Sequence, residues 1–188
     1  ILSKIKEVIN TKSDLNQAHI IKGWQVPTYT ENEYLALILL NIILGACGLS
    51  SRLFLELRDK KGLAYVVRST YETYKLTGNF MIYIATEPNN IEVSLKGFDE
   101  EIEKIRTIKV SDKELEDAKN NLIGKYAFLE ETNIQQACLY AKNGVLGLGF
   151  DFSEKIKKSI TSVTSEQVLD CAKKYFTNDK YVLSIIKP

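Results

Sequence analysis

The 188-residue chain carries 25 Lys plus Arg against 24 Asp plus Glu, and 45% of its residues are apolar. Nearly balanced charge leaves no global basic field for nucleic acid and no like-charged tail for a polyelectrolyte partner. The length fits one domain that buries roughly two-thirds of its unfolded surface. Cys47, Cys138 and Cys171 are odd in number and lack CxxC spacing, so they fit neither a disulfide framework nor a zinc knuckle. Lying among apolar neighbours, they read as small core residues, and their usage points to a reducing, cytoplasmic location. The longest apolar run, Tyr34 to Leu44, is shorter than the roughly 18 residues of a membrane span. No secretory signal is present, and the opening at Ile1 without methionine suggests a fragment or a processed product.

Residues 1–14 read as a leading or linker helix, because Ile1, Leu2, Ile5, Val8 and Ile9 fall on one helical face. Residues 15–188 read as a single domain. "QAHIIKGWQV" (17–26) reads as a strand ended by Pro27. "TENEYLALILLNIILG" predicts a buried central helix with Thr30 as its N-cap, acids in its first turn and Gly45 at its end. A glycine-punctuated turn, "GACGLS", leads to a second helix over 51–60, with Gly62 just past its end. "AYVVRSTYETY" and "NFMIYIAT", joined by "KLTG", predict an antiparallel hairpin. Ile91, Leu95, Phe98, Ile102 and Ile105 then repeat at helical spacing. "SDKE" (111–114) and "TSEQ" (164–167) are capping boxes that open two further helices. Between them Ile134, Ala137, Cys138 and Ala141 mark another helix, and "KYVLSII" is a final strand. Helices in runs beside a hairpin predict an α+β fold: an antiparallel sheet with helices packed on one face.

Chemistry is sparse. His19 is the only histidine, and in a strand it reads as a structural residue. No cluster has metal-ligand spacing, and there is no H-x-x-E-H, G-x-S-x-G or P-loop. What remains is Arg58 and Tyr65 in "SSRLFLELRDKKGLAYVV" (50–67). One reading is purely structural: Arg58 complements the carbonyls of a last helical turn, and Tyr65 favours a strand. The other is geometric. A helix stopping at Lys61-Gly62 and a strand starting at Leu63 hold both side chains at one corner. There a guanidinium fork and a phenol can bind carbonyls of an extended peptide, or the oxyanion that forms when water attacks one. Neither group generates the nucleophile.

That run, with S-S-R-L-F, L-R and G-L-A-Y in sequence, resembles the signature of the second type of domain in the insulinase/pitrilysin zinc metallopeptidases, which include the mitochondrial processing peptidases. "QAHIIKGWQVP" resembles the first strand of such a domain, and "TSEQVLDCAKKYF" with the last strand resembles its ending, so the likeness spans residues 15–187. The resemblance implies one half of a clamshell whose homologous other half carries zinc on an inverted H-x-x-E-H. That partner half would lie upstream in the same polypeptide or on a separate subunit, and this chain would bind no metal itself. By matching position, Arg58 and Tyr65 would contact the peptide backbone and help stabilise the transition state. The "GACGLSS" turn resembles, in shortened form, the family's glycine-rich substrate-handling segments, which makes Gly45 and Gly48 candidates for substrate binding beside a tight-turn role. The implied function is the non-zinc domain of a zinc metalloendopeptidase acting on extended peptides, inactive alone. The alternative is a non-catalytic binding or scaffold subunit of the same family.

Overall fold

Every second residue of Ala18–Val26 is buried, and this strand, β2, is the middle of a five-stranded sheet. The computed structural model describes residues 4–30 and 32–188. The other strands are β1 (Lys6–Thr11), β3 (Ala64–Thr73), β4 (Gly78–Thr86) and β5 (Val182–Lys187). In the order β1-β5-β2-β4-β3, β2 runs antiparallel to both neighbours, as does β3 to β4, and β1 joins β5 in parallel. The predicted hairpin is therefore β3–β4, closed where Tyr74 N–H donates to Thr77 O at 2.8 Å. The α+β architecture is as expected from the sequence.

The helices are α1 (Tyr34–Asn41), α2 (Ile91–Thr107), α3 (Asp112–Leu129), α4 (Asn133–Leu146), α5 (Phe152–Ile160) and α6 (Ser165–Tyr175). The buried sheet face offers Ile20, Trp24 and Val26 from β2 and Phe80, Ile82 and Ile84 from β4. Phe176, just beyond α6, seals it: its ring centroid lies 4.7 Å from Phe80 and 5.0 Å from Trp24. Burying each such side chain contributes roughly 1.5–3 kcal/mol, so this aromatic layer ties α6 to the sheet centre. One charge sits on the same face. Lys22 is buried but reaches Asp99 of α2 at 2.6 Å and lies 4.1 Å from the Tyr181 ring, so it is paired and not stranded.

Both predicted capping boxes are present, Ser111 with Glu114 on α3 and Thr164 with Gln167 on α6. A third, Thr132 with Gln135 on α4, has the same Thr-x-x-Gln spacing and went unread. The leading helix is a correction. Lys6–Thr11 is a strand, fully exposed, whose hydrogen bonds complete the free edge of β5. A helix there would have offered its apolar stripe no partner, whereas β-branched Val8 and Ile9 suit an edge strand. Ile1 and Leu2 lie outside the described residues. The central helix also starts later than predicted. Thr30 does not cap it; α1 begins at Tyr34 after Glu33, whose carboxylate is engaged by Lys174 and the Tyr175 hydroxyl of α6. The same lysine holds the Glu33 carboxyl below its usual range.

Candidate functional site

Residues 42–65 hold all four candidate site residues, and their backbone departs from what the sequence predicts. The central helix does not end at Gly45; it widens into a π-helical segment, Ile42–Ala46. The second helix is π-helical over Phe54–Lys60 instead of α-helical. Such widened turns carry an extra residue and re-aim the side chains after it. Gly62, at φ 63°, stops the second segment as predicted, with its N–H bonded to Arg58 O at 3.0 Å and Leu63 N–H to Leu57 O at 2.9 Å. The Thr86 hydroxyl donates to Leu63 O at 2.7 Å, which anchors the corner on β4.

Tyr65 is where the strand pairing slips. Ala64 pairs with Thr86 and Val66 with Ala85, so Tyr65 is the extra residue of a β-bulge. A bulge turns its residue out of the pleat, and the Tyr65 side chain is 77% exposed. Arg58 meets it: Nη1 donates to Tyr65 O at 2.6 Å, and the guanidinium carbon lies 4.7 Å from the Tyr65 ring. The guanidinium carbon also lies 4.7 Å from the Phe54 ring. The structure thus brings Arg58 and Tyr65 together. It adds Phe54, which sequence reasoning missed although it sits four residues before Arg58, the spacing that puts two side chains on one helical face.

Two lysines at the corner are already matched to carboxylates. Lys60 bonds Glu56 at 2.6 Å and Lys61 bonds Glu100 of α2 at 2.8 Å, and each lysine draws its carboxyl below the usual range. Among the described residues Arg58 has no carboxylate partner. Its charge and its other N–H groups are therefore available to a carbonyl or an oxyanion, next to a phenol that can donate as well.

The glycines sort differently. Gly45 is buried, and a Cβ built on it would sit 2.2 Å from Ser69 N and 2.7 Å from Ser69 Oγ. It is the point where the Ile42–Ala46 segment crosses the backbone of β3. The Ser69 hydroxyl fixes that crossing by donating to Asn41 Oδ1 at 2.7 Å. Gly48 is exposed at φ 67° with open space around it, and its carbonyl accepts from Ser51 N–H at 3.1 Å and the Ser51 hydroxyl at 2.8 Å. The core reading of the cysteines holds for Cys171, whose thiol burial pushes up to about 12. It fails for Cys138, which is exposed on α4.

The fold is a helix-backed five-stranded sheet with an exposed Arg58–Tyr65 corner at the start of β3. Residues 2–122 match the family model described as the peptidase M16 inactive domain, and the chain belongs to that family. It is 30% identical over 182 residues to the uncharacterized zinc protease YmxG of Bacillus subtilis, covering 97% of this chain and 44% of that protein. The solved peptidase M16 inactive domain from Pseudomonas fluorescens is 27% identical with a TM-score of 0.85, over 98% of this chain and 43% of that one. A protease from Helicobacter pylori shares the fold at a TM-score of 0.91 and 22% identity, over 98% of this chain and 45% of that one. The chain therefore spans less than half the length of each of these relatives.

The described residues do not fit a zinc site. Among them no group of three or more His, Cys, Asp or Glu side chains could hold a metal ion, and His19 Nδ1 lies 2.9 Å from the Tyr83 hydroxyl. No described helix is long and apolar enough to cross a membrane.

Proposed function

We propose that this chain is the non-zinc domain of a zinc metallopeptidase and that its Arg58–Tyr65 corner binds the backbone of an extended peptide beside the scissile bond. Metal chemistry would belong to a homologous zinc-bearing half, upstream in the same polypeptide or on another subunit. The observation that carries the reading is the β-bulge that turns Tyr65 outward beside an arginine with no carboxylate partner. The bond from Arg58 Nη1 to Tyr65 O holds the bulge. The remaining guanidinium donors and the phenol then face the same solvent, where they can hold a peptide carbonyl and stabilise negative charge growing on it. Phe54 behind the guanidinium limits its rotamers, so little ordering is left for the moment of binding.

The test is turnover of an unstructured peptide by the intact protein. Arg58→Ala should lower kcat by on the order of 10²-fold, the loss seen when one oxyanion donor is removed. Tyr65→Phe, which deletes only the hydroxyl, should lower kcat by roughly 10-fold or more, with melting temperature unchanged because the ring and its stacking remain. Wild-type kcat in both variants would sink the assisting role and leave the domain as a scaffold that holds polypeptide without aiding hydrolysis.

A further inference from the structure

Alternation along β3 turns Val67, Ser69 and Tyr71 towards the helices and Arg68 to the opposite, open face of the sheet, where it is exposed. The register continues from there. Arg68 lies opposite Tyr83 of β4, Tyr83 opposite Ile21 of β2, and His19 opposite Ala85 one row away. The Arg68 guanidinium carbon is 5.4 Å from the Tyr83 ring centroid, and the Tyr83 hydroxyl is 2.9 Å from His19 Nδ1. Arg68, Tyr83 and the half-buried His19 are thus one polar cluster that crosses three strands. The structural reading of His19 accounts for its bond to Tyr83 but not for the cation at the other end.

We propose that this cluster is a subsite for an acidic side chain of the bound peptide, with Arg68 as its cation. It rests on the reading that an extended peptide lies at the Arg58–Tyr65 corner; Arg68 is three residues further along β3, roughly 10 Å from Tyr65. Charge selects the occupant. Among the described residues Arg68 bonds no carboxylate, and its contact with the Tyr83 ring leaves the N–H groups of the guanidinium unused. The rows on either side of it, from Val66 to Thr70 and across β4, β2 and β5, hold no Asp or Glu. A second donor is built in. If the phenol donates to Nδ1, the imidazole keeps a proton on Nε2; if Nδ1 donates, the O–H of the phenol is left over. In both cases a donor stands beside the guanidinium, and together they suit the two oxygens of a carboxylate. The adjoining surface assigns that carboxylate to a polypeptide. The next row opens into an apolar trough of about 350 Å³, floored by Gly23 and walled by Ile21, Met81 and Val182. Rows on one face are about 7 Å apart, the repeat of same-side residues in an extended peptide. An acidic residue over Arg68 therefore sets the residue two positions away over the trough, which a free small acid would leave empty.

The test is fluorescence anisotropy of the intact protein with labelled, unstructured peptides. Each carries Glu, Gln or Lys at one position and Leu two residues to either side. Wild type should bind the Glu peptide roughly fivefold tighter than the Gln peptide, the effect of a solvent-screened guanidinium with one further donor, and the Lys peptide weakest of the three. Arg68 is exposed, so its replacement keeps the fold. Arg68→Gln should erase the Glu preference, and Arg68→Glu should convert it into a preference for Lys. Tyr83→Phe keeps the ring under the guanidinium and should bring the Glu-to-Gln ratio down about twofold. Arg58→Ala should weaken all three peptides by one common factor, so a missing Arg58 effect strikes the corner and spares this subsite. Equal affinity of wild type for the Glu and Gln peptides, absent binding included, would overturn the proposal. So would a Glu preference that survives Arg68→Gln, whatever Arg58→Ala does.

Discussion

The Gly45 crossing and the Arg58–Tyr65 corner stand at opposite ends of one 21-residue segment, and they are built in opposite ways. At the crossing every group is committed. Gly45 has no space for a Cβ, Ser69 is buried, and its hydroxyl is bonded to Asn41. At the corner the backbone is committed but the side chains are not. Gly62, Leu63 and Thr86 lock the turn, while the Tyr65 phenol projects into solvent and Arg58 lacks a carboxylate. Both ends stand out in the sequence for the same reason, a residue that interrupts a regular pattern. What separates them is whether the polar groups at the interruption have been satisfied inside the fold.

The largest expected effect belongs to the crossing. Gly45→Ala puts a methyl 2.2 Å from Ser69 N, inside any real contact, so the Ile42–Ala46 segment and β3 must separate. We expect a loss on the order of 3 kcal/mol or more, read as a fall in melting temperature of roughly 6–12 °C. Turnover per folded molecule should be unchanged. A near-normal melt would break the comparison by showing that the crossing can open. Gly48→Ala is the intermediate case, with a left-handed φ of 67° but open space. It should cost about 1 kcal/mol in a urea titration. If instead it left stability intact and raised KM, Gly48 would move from the architectural side to the substrate side.

Most of the layout was legible because the residues concerned answer to local rules. Two capping boxes, the KLTG hairpin and the alternation of Ala18–Val26 are local signals, and each element sits where its signal lies. The Arg58–Tyr65 pair was legible too, as a helix stop seven residues wide. The bulge that exposes Tyr65 was not, because it follows from how β3 slips against β4, and no short window contains both strands. Gly45 is the same kind of miss. Its neighbour Ser69 is 24 residues away, so the sequence offers a turn or a substrate role but not the backbone crossing. The leading strand failed for a third reason: Ile5, Val8 and Ile9 fit a helical period, yet the open edge of β5 decides the matter. The π-helical widening of both segments has no sequence signal that we can name.

The smallest effect concerns the turn between the two ends. Arg52, just after it, grips Glu114 of α3 through two bonds of 2.9 and 3.0 Å, and Glu114 also closes the α3 capping box with Ser111. The guanidinium holds the Glu114 carboxyl below its usual range. A carboxyl depressed in the folded state stabilises the fold fully above its unfolded pKa of ~4.3 and loses that contribution as pH falls through the folded value. Because the Glu114 side chain is 37% exposed, solvent screening limits the contribution to about 0.5–1 kcal/mol. Wild type should therefore exceed Glu114→Gln in urea-derived stability by that amount at pH 7, and the gap should close as pH falls below the unfolded pKa. Gln keeps an acceptor for the capping box, so a gap that persists at acid pH would assign the loss to helix capping instead of to the ion pair. If the gap closes while turnover at pH 7 stays at the wild-type level, the clamp steadies the Gly45 end of the segment and leaves the corner to be held by Gly62 and Thr86 alone.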